Sequence, residues 1–484
     1  MNNIVNERRT KIVATLGPST DSPEKLEALF KAGVNVVRLN FSHGTHEEQL
    51  QRINWVRQVA KAMNIYVGII ADLQGPKIRV ANFADGPIEL KTGDRFILDA
   101  EQDENSGDQH SVGIDYKDLP SDVAANDVLL LNDGQISMTV VKVDGAKIHC
   151  DVVAGGLLSN HKGINRQGGG LSAKALTDKD REDLDFAVKQ NVGYIAISFP
   201  RNAEDILEAK ALIRQVGVEE EPGVIAKIER AEAIDEIENI VIASDGVMVA
   251  RGDLAVEIGD AEVPLVQKAI IHHARSLDRP VIVATQMMES MIHCRVPTRA
   301  EVSDVANAVL DNVDAVMLSA ETAAGSFPVE AVEMMSRVCQ RVEKQPGSHI
   351  SGHRVELNFE FIDEAIAMAA MYTANHLDTK AIIAMSASGK TPLIMSRIRT
   401  AIPIYGFSHS LKTLRKMTLF RGVTPVFFNA FDYKTIHSVN HAALKRFLEF
   451  VPLDEGDTVL LTKGDVAGIE GGTNTMKILQ VPAQ

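Results

Sequence analysis

Two short stretches carry the clearest chemistry: Lys227-Ile228-Glu229-Arg230 and Arg251-Gly252-Asp253-Leu254. An ammonium and two carboxylates brought together would suit an anionic substrate held beside a divalent cation. Buried charges of this kind are costly unless they are paired or bind an ion. Glu229 and Asp253 are hard oxygen ligands. Two such carboxylates, with substrate oxygens and waters completing the shell, suit Mg2+ or Mn2+. No histidine cluster accompanies them to favour zinc. Arg38, Arg79 and Lys227 supply cationic donors for phosphate or carboxylate groups. Gly252 lets backbone N–H groups approach an anion at a helix start. Further polar groups come from Arg38-Leu39-Asn40-Phe41-Ser42-His43, Thr285-Gln286 and Ser319-Ala320-Glu321-Thr322. Together these are the parts of a metal-assisted phosphoryl-transfer site, where catalysis is mostly positioning and charge stabilisation. Taken singly, each has a plainer reading. Lys-Ile-Glu reads as a surface salt bridge, Arg-Gly-Asp as a turn, and Lys77 and Arg79 as solvated charges on a strand.

What lifts the set above those readings is its placement at the ends of apolar runs, the pattern of buried parallel strands. Eight such runs occur in two blocks: Thr10–Leu16, Asn35–Asn40 and Ile65–Ala71, then Tyr194–Ser198, Val224–Lys227, Gly246–Val249, Pro280–Ala284 and Ala315–Leu318. Helical spacing follows them, as in Glu24–Lys31, Glu47–Met63, Asp180–Gln190, Ala203–Val216, Val263–Leu277 and Ala300–Leu310. Alternation of this kind predicts an α/β fold with a (β/α)8 TIM barrel, whose sites lie at the C-terminal ends of the strands. The barrel is expected to span residues 1–75 and 171–345. Residues 76–170 have Val-rich pieces broken by Asp-Gly turns and read as an inserted all-β lid domain. Asn165 to Gly170 reads as its return hinge. A polar link, Pro346 to His353, leads to residues 346–484, an open α/β domain with strands at Ala381–Met385, Pro403–Gly406, Val423–Phe427 and Thr458–Leu461.

The chain of 484 residues allows about three domains. Its formal net charge of −15 argues against a general nucleic-acid or acidic-membrane surface. Three separated cysteines, Cys150, Cys294 and Cys339, form no metal-ligand spacing and point to reduced thiols in the cytoplasm. Met1 to Thr10 lacks the apolar core of a signal peptide. No run reaches the roughly 18 apolar residues of a membrane span.

Several motifs, in order along nearly the whole chain, resemble the pyruvate kinase family: Arg38-Leu-Asn-Phe-Ser-His-Gly44, Asp72-Leu-Gln-Gly-Pro-Lys-Ile-Arg79, Lys227-Ile-Glu229, Met248-Val-Ala-Arg-Gly-Asp253, Ala284-Thr-Gln-Met-Met-Glu-Ser290 and Pro297-Thr-Arg-Ala-Glu301. They are most similar to the bacterial type regulated by AMP or sugar phosphates. The resemblance implies phosphate transfer from phosphoenolpyruvate to ADP, giving pyruvate and ATP. It implies that Glu229 and Asp253 hold Mg2+ or Mn2+, that Lys227 stabilises the moving phosphoryl group and the enolate, and that Arg38 grips the phosphate. Gly252, Asp253 and Thr285 would bind the substrate carboxylate, with Thr285 near the protonation path and Ser319 and Glu321 supporting a proton relay. Asn40, Phe41, Ser42, His43, Arg79 and Lys179 would contact the nucleotide. A homotetramer is the family's usual assembly.

The sequence departs from the family at one informative place. Many members hold K+ on an Asn, a Ser, an Asp and a Thr carbonyl, within a motif reading Asp-Thr-Lys-Gly-Pro-Glu. Here Asn40, Ser42 and Asp72 remain, while Leu73, Gln74 and Lys77 stand in the Thr, Lys and Glu positions. A lysine ammonium can bring the charge of a monovalent cation, so K+-independent activity is expected. In the C-terminal domain, Ser386-Ala387-Ser388-Gly389-Lys390-Thr391 follows a strand and reads as a phosphate cradle. The family binds a phosphorylated effector there, and Lys463-Gly464-Asp465 and Gly471-Gly472-Thr473-Asn474 would complete the pocket. Two other classes share these residue types: a metal-dependent aldolase or lyase acting on pyruvate or phosphoenolpyruvate, and a non-catalytic sensor that binds only the effector. The lid and Arg79 argue against the first. Intact Lys227, Glu229, Asp253 and Thr285 argue against the second.

Overall fold

The computed structural model describes residues 8–345, 358–466 and 468–483. Residues 1–7 and the whole polar link Pro346 to His353, with residues 354–357, lie outside the described residues.

Eight parallel strands close into a barrel: Lys11–Thr15, Val36–Asn40, Gly68–Asp72, Tyr194–Ile197, Gly223–Ile228, Gly246–Ala250, Val281–Ala284 and Ala315–Leu318. The first pairs with both the second and the eighth, which completes the ring. Most residues of these strands are buried, because helices cover the outside and side chains fill the inside. The third strand is displaced from the sequence expectation of Ile65–Ala71. It starts at Gly68 and runs to Asp72, whose backbone joins the ladder opposite Asn40 and Ala196. The helix starts are set locally. Thr45, Thr177 and Thr298 each cap a helix in a reciprocal capping box with Glu48, Asp180 and Glu301.

Between the third and fourth barrel strands the chain builds a six-stranded sheet and a two-stranded one. They enclose a separate core that includes Phe96, Leu98, Val112, Leu129 and Met138. The turn Asn132-Asp133-Gly134 has positive φ at all three residues, which favours these types over β-branched ones. The return passes through Gly168, Gly169 and Gly170, with φ of 81°, 76° and 91°. A Cβ on Gly170 would lie 1.9 Å from the Arg166 guanidinium, so no larger residue fits without a shift.

The C-terminal sheet has the order Val423–Phe427, Ile404–Ser408, Thr379–Met385, Thr458–Lys463, Thr475–Gln480. Four strands are parallel and match those read from sequence. The fifth, an antiparallel edge strand, has no apolar run to mark it, because much of it is exposed. This domain plugs the barrel floor. Val13, Val36, Ile70, Tyr194 and Ile225 inside the barrel share one core with Ala367, Leu414 and Met417 beyond it. The approach is close at Gly68, where a Cβ would sit 2.3 Å from the Thr418 hydroxyl. Among the described residues no helix is long and apolar enough to cross a membrane.

Candidate active site

The charged strand ends converge at the C-terminal rim, as barrel geometry requires. Asp72, at the end of the third strand, is fully buried and is the hub. Arg38 Nε donates to its Oδ2 at 2.5 Å, and Lys227 Nζ lies 3.1 Å from its Oδ1. Lys227 Nζ also lies 3.0 Å from Glu229 Oε1 and donates to Ser198 Oγ at 2.7 Å. The Arg38 guanidinium reaches Thr15 Oγ1 at 3.2 Å. Two cations and two carboxylates thus interlock across strands one to five.

Burial alone would push the Asp72 carboxyl up, but Arg38 and Lys227 outweigh it and hold it below the usual carboxylate range. Burial would likewise lower Lys227, yet Asp72 and Glu229 keep its ammonium charged and raise its pKa. Glu229 goes the other way. Burial pushes it up, Lys227 pulls it down, and the nearby Asp253 charge pushes it up again, leaving it raised. A buried carboxylate pushed up by a second carboxylate beside it belongs to a donor set that a divalent cation relieves. Glu229 and Asp253 therefore fit Mg2+ or Mn2+ by donor type and charge. Glu229 is engaged at both oxygens, by Lys227 Nζ at Oε1 and by Phe199 N, which donates to Oε2 at 3.0 Å, and Lys77 Nζ lies 2.9 Å from Asp253 Oδ1.

Thr285 stands over the end of the seventh strand in a left-handed conformation, φ 70°, followed by Gln286 at φ 56°. A β-branched residue at positive φ is a genuine outlier, and such strain collects at functional sites. Arg251 holds it there. Its guanidinium donates to the Thr285 carbonyl at 2.7 Å and to Asp304 at 2.8 Å. The Thr285 hydroxyl accepts from Gly252 N at 2.9 Å and donates to the Ala284 carbonyl at 2.6 Å. Glu321 accepts from the backbone of Ser319 at 2.6 Å and of Met288 at 3.1 Å. Ser319 Oγ is buried without a hydrogen-bond partner among the described residues.

Matches to family models cover residues 7–332, as the barrel domain of pyruvate kinase, and residues 364–479, as its alpha/beta domain. A pyruvate kinase of Buchnera aphidicola from Acyrthosiphon pisum is 52% identical over 98% of this chain and 99% of its own. Pyruvate kinase II of Salmonella typhimurium is 51% identical over the same shares. The chain belongs to the pyruvate kinase family. A solved pyruvate kinase from Cryptosporidium parvum superposes with a TM-score of 0.91 at 35% identity, covering 100% of this chain and 98% of that one. The family's enzymes are phosphotransferases.

Of the residues the sequence nominates, Arg38, Asp72, Lys227 and Glu229 form one contiguous network, while Asp253 pairs with Lys77 beside it. Asn40 and Ser42 form a turn beside it, with Ser42 N donating to Asn40 Oδ1 at 3.1 Å. Lys179 Nζ donates to the Phe41 carbonyl at 2.8 Å. Arg79 turns its guanidinium to the Lys77 carbonyl at 3.3 Å. His43 closes the same loop, its carbonyl accepting from Gln49 at 2.9 Å. The Leu73 carbonyl accepts from Ser198 at 2.6 Å. Ser198 and Thr15 escape the sequence reading even though both sit at strand ends. An uncharged hydroxyl there carries no pattern, and only the run Tyr194–Ser198 ending in a serine hinted at it.

In the C-terminal domain, a cavity of about 430 Å3 opens beside the 386–391 loop. Ser386, Ala387 and Thr391 line it together with Lys463, Asp465 and Thr473. Lys390 does not. Its ammonium lies 3.0 Å from buried Asp363 and 4.4 Å from the Phe361 ring centroid. Ser388 and Gly389 also stay off the wall, while the Thr391 and Thr473 hydroxyls meet at 2.7 Å.

Proposed function

We propose that this chain transfers the phosphoryl group of phosphoenolpyruvate to ADP, giving pyruvate and ATP. The observation that carries this reading is Lys227, a buried ammonium held between Asp72 and Glu229 beside the Arg38 guanidinium. A preorganised cation beside a developing enolate lowers the barrier without reorganisation at the moment of reaction. Glu229 and Asp253 would hold Mg2+ or Mn2+, which when bound neutralises charge on substrate carboxylate and phosphoryl oxygens. Arg38 grips the phosphate, and Asp72 fixes the guanidinium in place. Thr285 faces the enolate carbon's protonation path, and the unpartnered Ser319 hydroxyl is available to pass the proton on. Gly252, whose N–H anchors Thr285, and Asp253 line the carboxylate end. Asn40, Phe41, Ser42, His43, Arg79 and Lys179 surround the nucleotide's approach.

The finer readings have their own support. K+ independence rests on Lys77, whose ammonium joins Asp253, and on the family K+ ligands Asp72, Asn40 and Leu73 carbonyl each having a protein donor already. Regulation by a sugar phosphate or AMP rests on the C-terminal cavity, into whose wall the buried Lys463 brings a cation. A homotetramer is supported by the exposed edge strand Thr475–Gln480 and by Ile362 and Tyr372, each 68% exposed on one helix. A single light-scattering peak at monomer mass would remove it. A cytoplasmic site is supported by three free cysteines, and cell fractionation tests it.

A steady-state assay with phosphoenolpyruvate, ADP and Mg2+ tests the whole reading. It should be run in K+ and in tetramethylammonium, with and without glucose 6-phosphate, ribose 5-phosphate, AMP and fructose bisphosphate. Pyruvate must form only with ADP present. Collapse of the rate in tetramethylammonium would remove the K+ reading alone, and indifference to all four effectors would remove the regulatory one.

A further inference from the structure

A second ionic cluster sits at the barrel rim, apart from the Asp72 network. Asp183, on the helix Asp178–Lys189, has a side chain only 4% exposed. Its two oxygens face two different donors. Lys179 Nζ lies 2.5 Å from Oδ2, and His46 Nε2 lies 2.7 Å from Oδ1. Lys179 is one turn earlier on the same helix. His46 opens the helix His46–Ala62, 137 positions away in sequence.

The imidazole is fixed on both faces of its environment. It stacks on Phe186 with ring centroids 4.3 Å apart and planes 8° from parallel, and Phe41 meets it edge-on at 6.4 Å. Facing a carboxylate, Nε2 carries the proton and donates. The Lys179 ammonium, tied also to the Phe41 carbonyl, is held where the chain turns after Arg38 and Asn40. Its side chain remains 49% exposed, so a ligand can reach it.

A lysine is a flexible point charge, and its direction is set by its partners. With His46 donating to the other oxygen, the Asp183 carboxylate is held in one orientation and aims the Lys179 ammonium with it. We propose that His46 is a positioning residue for the nucleotide: through Asp183 it aims the Lys179 ammonium at the diphosphate of the phosphoryl acceptor. This rests on Lys179 being a nucleotide contact, as proposed above.

The test compares His46→Ala, His46→Gln, Lys179→Met and the His46→Ala/Lys179→Met double variant, with KM measured separately for ADP and phosphoenolpyruvate. His46→Ala should raise KM for ADP roughly fivefold, the effect of losing one charge-assisted contact, with kcat and KM for phosphoenolpyruvate unchanged. His46→Gln, which keeps an N–H donor, should restore most of it. In the double variant the His46→Ala effect should vanish, since its only route is through Lys179. If His46→Ala shifts both KM values together, or adds fully to Lys179→Met, the role is structural and the inference fails. If Lys179→Met leaves KM for ADP untouched, the nucleotide assignment of Lys179 fails instead and takes the inference with it. Melting temperatures of all four variants identify a folding defect, and a fivefold KM change that survives in folded His46→Gln would overturn the donor role.

Discussion

Lys227 is the residue on which most depends, because three acceptors fix its ammonium where charge would move. Lys227→Met should lower kcat by about a hundredfold to a thousandfold. Equilibrium dialysis with Mn2+ should show the metal still bound, since Glu229 and Asp253 are untouched. Unchanged turnover would remove its assigned role. Lys77→Glu places a third carboxylate beside Glu229 and Asp253, and activity should then rise with added K+. A K+ titration that stays flat in this variant would count against Lys77 as the substitute charge. Glu257 makes a separate, pH-linked prediction. Burial pushes its carboxyl up from 4.5 to about 7, although Ala231 N donates to it at 2.9 Å. A raised folded-state pKa means the native state holds the proton more tightly than the unfolded chain. The resulting stabilisation is complete below about pH 4.5 and is lost as pH rises through about 7. Glu257→Gln should therefore flatten the fall of melting temperature between pH 5 and 8, by the equivalent of about 1–3 kcal/mol. Lys227, Glu229 and Asp253 were legible in the sequence because each closes an apolar run with a charge. Ser198, Asp183 and Glu257 were not, because their meaning comes only from neighbours far away in the chain.

At the scale of elements, the base of the barrel is held by a second set of charges that no motif announced. Asp314 and Arg397 are both fully buried and pair with each other through two oxygens. Asp314 opens the eighth barrel strand and also accepts from Val281 N at 3.0 Å, where the seventh strand begins. Arg397 directly follows the helix Lys390–Ser396 and donates to the Arg279 carbonyl at 3.1 Å. Thr285 and Ser319 directly follow strands seven and eight, so this pair joins the helix after the 386–391 loop to the opposite ends of those two strands. Asp314→Ala leaves the arginine buried and uncompensated, which should cost about 3–5 kcal/mol. Urea denaturation should show it, and Asp314→Leu with Arg397→Met should recover much of the loss. Sequence periodicity found all eight barrel strands because their alternation with helices is regular. It could not find a contact between residues 83 positions apart in two domains, and it missed the edge strand Thr475–Gln480, whose exposed face carries no hydrophobic signal.

At the scale of the whole molecule, the inserted sheets and the C-terminal domain relate to the barrel in opposite ways. The inserted part has a core of its own. The C-terminal domain shares one with the barrel interior. A chain ending at Gln345 should therefore expose Val13, Val36, Ile70 and Tyr194 at the floor. It should bind the dye ANS strongly and elute as aggregate on gel filtration. A monomeric, dye-silent truncation would show that the floor closes by itself.

That shared floor bears on how such a molecule could change over time. A domain joined only by a linker can be lost, borrowed or exchanged with little harm to the part that does chemistry. One that supplies the stopper for the catalytic barrel cannot. Any lineage that discarded it would first have to rewrite the barrel's own interior, so the two are expected to travel together and to drift together.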